Sequence, residues 1–267
     1  MIVASSRDLV WCEGPDAASY LQGQVSQEVE GLAVGESRPT LVLQPQGRVE
    51  VFGRLTRTGD DRFLIDVEPG HGEATLARLQ RFKIRVDAEL RLEPGVAVVS
   101  VRDSTAPEGA DLSLAATWPA HDGVDLVGPP DGLVAVDTTE DLEAARIEAG
   151  VPRMGAELDD ATIPAEAGAW MIDASVSFTK GCYVGQELVA RVDSRGSNTP
   201  RRLRRFRFEG DAPAVGSPVV IDGSVVGALT SAAHGVALGY VGRGAVDATT
   251  ATVGEGDEAR PASIEAL

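Results

Sequence analysis

Aromatic residues make up only 4% of this 267-residue chain, so Val, Leu, Ile and Ala must fill most of its core. Lysine is scarcer still. Of 24 basic residues only Lys83 and Lys180 are lysines, and the other 22 are arginines. Ammonium and guanidinium differ in geometry and titration, so each lysine hints that an ammonium is wanted. The hint is weaker at Lys83, which sits among surface charges in RFKIRV. Two cysteines, Cys12 and Cys182, are too few and too far apart for a CxxC pair or a disulfide framework, which fits a reducing compartment. His71, His121 and His234 share no metal-ligand spacing with them, so no metal site is expected. No apolar run approaches the roughly 18 residues of a membrane span. The start, MIVASSRDLVWCEG, lacks the basic and apolar regions of a secretory signal, and a cytoplasmic location is expected. No strand-linked GxGxxG, P-loop, HExxH or GxSxG occurs, which argues against the common nucleotide-dependent enzymes. Positive charge is short overall, with 41 acidic residues giving a net charge of −17. That field opposes non-specific nucleic-acid binding and anionic membranes, so neither partner is expected. An anionic ligand would need a local group of cations.

What is present reads as a folded α+β chain. Its length suits one large domain or two to three small ones. A strand over 8–12 precedes a helix from about Ala17 to Glu28. TLVLQ, PQG and RVEVFGRLTR read as strand, turn and strand, and RFLIDVE as a third strand after TGDD. Residues 70–82 look helical. KIRVDAELRLE and VAVVSVR read as strands divided by Pro94-Gly95. This alternation resembles a ferredoxin-like α+β sandwich. Residues 103–132 read as short strands and loops. A helix starts near Thr138, with Asp141 at capping-box spacing, and ends at Gly150. Another is expected over 183–193. After Pro200, short β runs and Gly-rich turns predict a small barrel over 199–267, with Asp222-Gly223 as a hairpin signal.

Three constellations carry chemistry. In Lys180-Gly181-Cys182-Tyr183-Val184-Gly185-Gln186-Glu187, Cys182 would lie at or before a helix N-terminus beside Lys180. Both features favour a thiolate. The alternative is a small buried hydrophobe at a loop–helix junction. Glu148 falls in the last turn of a helix, where the dipole disfavours a carboxylate. It either faces water or holds a partner, and a carboxylate suits the paired donors of a pterin ring. Third, Arg195, Arg201, Arg202, Arg204, Arg205 and Arg207 crowd within 13 residues. They suit a phosphate, a polyglutamate tail or an acidic partner, or else guard a strand edge.

KGCYVGQE at 180–187 resembles the signature of the YgfZ family of folate-binding proteins, paralogues of the glycine-cleavage T-protein linked to iron–sulfur cluster maintenance. GPDAASYLQGQVSQEV at 14–29, LVLQPQGRVEVFGRL at 41–55, ARIEAGVPRMGAEL at 145–158, the 163–191 stretch, VGALTSA and ALGYVGR extend the likeness over nearly the whole chain. The resemblance implies a three-lobed T-protein-like (aminomethyltransferase-like) fold. Its ferredoxin-like α/β lobes would surround a central hole, followed by the C-terminal β-barrel. One lobe would combine residues 1–50 with 138–198, and a second would span 51–137. It implies tetrahydrofolate or a derivative as cofactor. Glu148 would read the pterin, with Lys180, Gly181, Cys182, Tyr183 and Gln186 in the same pocket. Cys182 and Lys180 would be the reactive pair. SQE at 26–28 stands where the family often has TND.

The T-protein's catalytic Asp pair is missing from Gly47-Arg48-Val49-Glu50-Val51-Phe52, and Glu50 reads as out of register. The leading expectation is therefore a cytosolic folate-binding accessory protein that supports iron–sulfur enzymes. Its partners would be a folate and iron–sulfur client or assembly proteins. The alternatives are a folate-dependent one-carbon transferase or demethylase, and an interaction module using the Arg-rich barrel edge.

Overall fold

Strict alternation along RFLIDV sends Phe63, Ile65 and Val67 to one face of a strand and Leu64 and Asp66 to the other. The chain builds a whole sheet on that pattern. In the computed structural model, which describes every residue except 195 and 197, seven strands pair antiparallel. They are β1 (Ile2–Glu13), β2 (Ser37–Leu43), β3 (Val49–Gly59), β4 (Arg62–Val67), β5 (Glu89–Arg102), β6 (Leu112–Ala115) and β7 (Gly123–Val127). Their order is β2-β3-β4-β1-β5-β7-β6, so strands from the 1–50 and 51–137 segments share one sheet. Arg195 of the expected arginine cluster lies outside the described residues. One face of the sheet, with Val10, Leu55, Phe63 and Ile65, packs on Leu21 and Leu79 from the helices α1 (Ala17–Gln22) and α2 (Gly72–Phe82). Removing a fully buried side chain such as Leu79 typically costs about 2–5 kcal/mol.

Three helices follow: α3 (Thr139–Glu148), α4 (Ala169–Ser175) and α5 (Gln186–Ser194). The expected capping box starts α3. Thr138 Oγ1 accepts from the Asp141 N–H at 3.1 Å, and Asp141 Oδ2 accepts from the Thr138 N–H at 2.9 Å. The last six strands are β8 (Arg201–Phe208), β9 (Pro218–Ile221), β10 (Ser224–Ala233), β11 (Val236–Gly242), β12 (Thr250–Val253) and β13 (Arg260–Ala266). They close into a barrel, β10-β11-β8-β13-β12-β9, which leaves no free edge. Asp222-Gly223 turns its hairpin as expected, with φ of 49° and 75°. Helix α3 lies against β10 and β11, so it joins the barrel to the sheet.

The structure differs from the sequence reading in three places. Helix α1 stops at Gln22 instead of Glu28, because tertiary bonds claim the next residues. Val25 bridges to Val42, and the Ser26 hydroxyl accepts from the Leu41 N–H and donates to the Ser175 carbonyl. Pro94-Gly95 is a bulge inside one long strand, not a turn between two. The Asp8 carboxylate holds it by accepting from the Gly95 N–H at 2.8 Å, and it also accepts from Gly70 and Gly72. Helix α5 begins at Gln186, later than expected, so Cys182 sits in the loop before it.

Candidate functional site

The second face of the sheet does not pack flat against the rest of the chain. Between it, α3, the 151–155 loop and β10 lies a cavity of about 1020 Å³. Its sheet-side wall is a lattice of buried charges. Asp66, fully buried, accepts from Arg7 Nε at 3.0 Å and from Arg54 Nε and Nη2 at 2.8 and 3.1 Å. Arg54 Nη1 also donates to Asp125 at 2.7 Å, and Asp125 accepts from Arg102 at 2.9 Å and from the Ser100 hydroxyl at 2.6 Å. Arg7 carries the chain of pairs on to Glu68 at the cavity surface. Burial opposes the Asp125 charge, but Arg54 and Arg102 outweigh it and hold the carboxyl well below the usual range. The Arg54 fork meets Asp66 side-on with two bonds, which fixes the wall's geometry at its centre.

The opposite wall has its own network. Arg146, from α3, donates to Glu143 at 2.8 and 2.7 Å, to Glu157 at 3.1 Å and to the Ser231 hydroxyl at 2.7 Å. Ser231 and Thr230, both on β10, donate to Glu157 in turn. Aromatic rings complete the lining. Trp118 stacks on the Arg102 guanidinium at 4.6 Å, and Phe52 meets Trp170 edge-on at 6.5 Å. Two of the three tryptophans of this aromatic-poor chain thus face the cavity. Among the described residues, no three His, Cys, Asp or Glu side chains are grouped to hold a metal ion.

None of Glu148, Lys180, Gly181, Cys182, Tyr183 and Gln186 lines this cavity. Glu148 closes the α3–barrel seam instead. Its Oε2 accepts from Arg207 at 2.7 Å, and its backbone carbonyl accepts from Arg205. The dipole-disfavoured carboxylate has found cations on β8. Lys180 turns away from the cavity and donates to the carbonyls of Val25 and Gln27 at 2.7 and 2.8 Å. Burial pushes its ammonium down to about 8, and Glu28 and Glu30 partly offset that. Cys182 and Gly181 are exposed. Tyr183 is buried in the core beside Leu41 and Leu43, and Gln186 Oε1 accepts from its N–H at 3.2 Å.

The motif does meet the PQG turn. A Cβ on Gly185 would lie 2.5 Å from the Gln44 carbonyl oxygen, and one on Gly47 would lie 2.4 Å from Leu188 Cβ. Both glycines also have positive φ, so only glycine fits either place. Of the arginine cluster, Arg201 pairs with Glu166, Arg204 donates to the Val246 carbonyl, and Arg205 and Arg207 share Glu265.

A bulge explains Glu50. Val42 pairs with Val51 and Leu43 with Val49, so Glu50 is the extra residue. It reaches Arg78 of α2 at 2.9 Å, and Phe52 rather than a carboxylate lines the cavity from this strand. The lattice residues were not singled out from the sequence. The available signal was a charge at an inward strand position, as in the Ile-Asp-Val of β4 and the Phe-Gly-Arg-Leu of β3.

Comparison with known proteins follows this geometry. Residues 201–264 match the family model of the CAF17 C-terminal β-barrel domain. The chain is 30% identical over 263 residues to the mitochondrial iron–sulfur cluster assembly factor IBA57 of Mus musculus, covering 87% of this chain and 71% of that protein. It is 25% identical over 228 residues to the tRNA-modifying protein YgfZ of Edwardsiella ictaluri, covering 74% of this chain and 67% of the relative. The crystal structure of the glycine cleavage system aminomethyltransferase T from Bartonella henselae superposes with a TM-score of 0.80 at 17% identity, over the whole of this chain and 85% of that one. The fold is therefore the α+β aminomethyltransferase-like fold with a C-terminal β-barrel.

Proposed function

The chain belongs to the family of the iron–sulfur cluster assembly factor IBA57 and YgfZ, and from that premise we propose that it binds a reduced folate in the cavity and supports assembly or repair of iron–sulfur enzymes in the cytoplasm. The carrying observation is the cavity itself. About 1020 Å³ lies at the upper end of the roughly 300–1,000 Å³ typical of cofactor sites. Trp118, Trp170 and Phe52 offer aromatic surface to a pterin and its benzoyl group.

A pterin also needs a carboxylate to accept from its ring N–H and 2-amino group. Asp66 is sealed, Asp125 is nearly so, and Glu143 is taken up by Arg146. Glu68 lines the cavity with its side chain 30% exposed and one oxygen paired to Arg7. Glu140 of α3 also lines the cavity and is more exposed, but Glu68 is the one that its Arg7 pair fixes to the sheet wall while leaving acceptor capacity, and it takes the role that the resemblance gave to Glu148. Folate supplies a one-carbon carrier when bound, and the chain's own groups orient it and exclude water.

Cys182 stands apart from that pocket, on an open loop where a partner can reach it. The reading therefore separates a ligand site from a thiol site that meets iron–sulfur clients or assembly proteins. The transferase alternative is disfavoured by Phe52 and by Glu50, whose carboxylate is held by Arg78 on the α2 side. Among the described residues no helix is long and apolar enough to cross a membrane.

Tetrahydrofolate binding can be followed by calorimetry and by the fluorescence of the two cavity tryptophans. Glu68→Gln is expected to weaken binding about tenfold, the loss of one charge-assisted contact. Glu148→Ala is expected to leave affinity within about twofold, since an exposed pair on the seam contributes little. No saturable binding to the wild type overturns the folate assignment. For the thiol arm, Cys182→Ala should fail to restore an iron–sulfur enzyme's activity in a deletion strain. Full complementation would remove it.

A further inference from the structure

We propose that Arg153 receives the terminal carboxylates of the ligand's glutamate tail, so that the cavity discriminates folates by their anionic end. This rests on the folate reading above. The net charge of −17 repels such a tail, so recognition needs a cation close to it. Salt leaves only charges within about 8 Å of the tail effective at physiological ionic strength.

The cluster at 201–207 does not supply that cation, because Arg201, Arg204, Arg205 and Arg207 are held by Glu166, Val246, Glu265 and Glu148. Five arginines line the cavity: Arg7, Arg54, Arg102, Arg146 and Arg153. The first four are committed to the two wall networks. Arg153 differs. Its side chain is 42% exposed, and among the described residues its ion pair is a single 3.5 Å approach to Glu143. Glu143 is already satisfied by Arg146 at 2.8 and 2.7 Å, so the Arg153 fork remains open to another anion.

Its backbone is firm where its side chain is open. The Arg153 N–H donates to the buried Glu157 carboxylate at 3.1 Å, and its carbonyl accepts from the Glu157 and Leu158 N–H groups at 3.2 and 3.1 Å. A guanidinium on a fixed loop at the cavity edge suits side-on pairing with a carboxylate. More than one carboxylate on the tail raises the chance of such a pair.

The test titrates wild type, Arg153→Gln and Arg153→Lys with three probes: tetrahydrofolate, its triglutamate and 6-methyltetrahydropterin, which has no tail. Wild type should bind the two tailed probes more tightly than the bare pterin. Arg153→Gln should lose about tenfold for the tailed probes and less than about twofold for the pterin. Arg153→Lys should recover part of the loss, because it restores the charge without the fork, which a purely structural defect would not show. Equal affinity of Arg153→Gln and wild type for tetrahydrofolate overturns the inference. So does an equal loss for all three probes. If wild type binds the bare pterin as tightly as tetrahydrofolate, the tail inference falls and the folate reading stands. If wild type binds none of the three, both fall.

Discussion

The charges on the cavity's sheet wall come from five strands and are largely buried, whereas the 177–187 segment is one continuous stretch that leaves Phe178 and Cys182 exposed. Arg7, Arg54, Asp66, Arg102 and Asp125 are brought together by the pairing of β1, β3, β4, β5 and β7, and each finds two or more polar partners. Phe178, by contrast, is 51% exposed and Cys182 is exposed. The sealed lattice gives a fixed shape against which a small molecule can be read. The open loop gives reach towards another protein. The strongest motif in the sequence therefore marks the second kind of place, and the cavity has no contiguous motif at all.

The sharpest way to break this contrast is to remove the centre of the lattice. Asp66→Ala takes their shared carboxylate from Arg7 and Arg54 and leaves three arginines of the wall facing only Asp125 and Glu68. The expected cost is about 3–5 kcal/mol, because an uncompensated buried charge remains. Urea denaturation of the variant reads it directly. A cost below about 1 kcal/mol would mean that the wall is not sealed and that water solvates the arginines.

The two cysteines sharpen the contrast next. Burial on β1 pushes the Cys12 thiol up to about 12, so almost no thiolate exists there near neutral pH. Cys182 is exposed. Alkylation with iodoacetamide, followed by peptide mass spectrometry, should modify Cys182 at least about a hundredfold faster. Comparable rates would show that the β1 core opens readily and that the open loop is not special.

Much of the fold could be read from local signals. The capping box at Thr138, the Asp222-Gly223 hairpin and the barrel's short strands act within a few residues of themselves. Helix α1 was over-extended because Ser26 and Gln27 look like ordinary helix residues, and their bonds go to residues some 150 positions away. Pro94-Gly95 looked like a turn because nothing nearby announces that Asp8 will accept from the bulge. The site was less legible. Glycines 47 and 185 were visible as residues, but their mutual contact depends on the packing of the PQG turn on α5. Glu148 reads from the sequence as a carboxylate that either faces water or holds a partner, and the structure pairs it with Arg207. The lattice is a property of strand order, which local spacing does not encode.

The smallest effect concerns Lys180, where the open segment is tied to the rest of the chain. Its ammonium donates to two carbonyls of the 25–27 segment, while Ser26 and Gln27 bond back to Ser175 and Ala174. The brace holds no carboxylate within ion-pair distance, so burial dominates and the pKa falls from 10.5 to about 8. A basic group with a folded value below its unfolded value makes the unfolded state bind more protons between the two. Stability should therefore rise as pH increases from about 8 towards 10.5, and Lys180→Met should lack that rise. Cys12, Tyr20, Tyr183 and Tyr240 work in the opposite direction, since burial raises all four, but they are common to wild type and Lys180→Met, so the difference between the two curves over pH 8 to 9.5 reads Lys180. Two N–H bonds suffice for two carbonyls, and the neutral amine still has two. The brace thus keeps its geometry while losing its charge. A stability curve for Lys180→Met parallel to wild type from pH 8 to 9.5 would mean that the ammonium is solvated, and that the segment is joined to the chain by Ser26 and Gln27 alone.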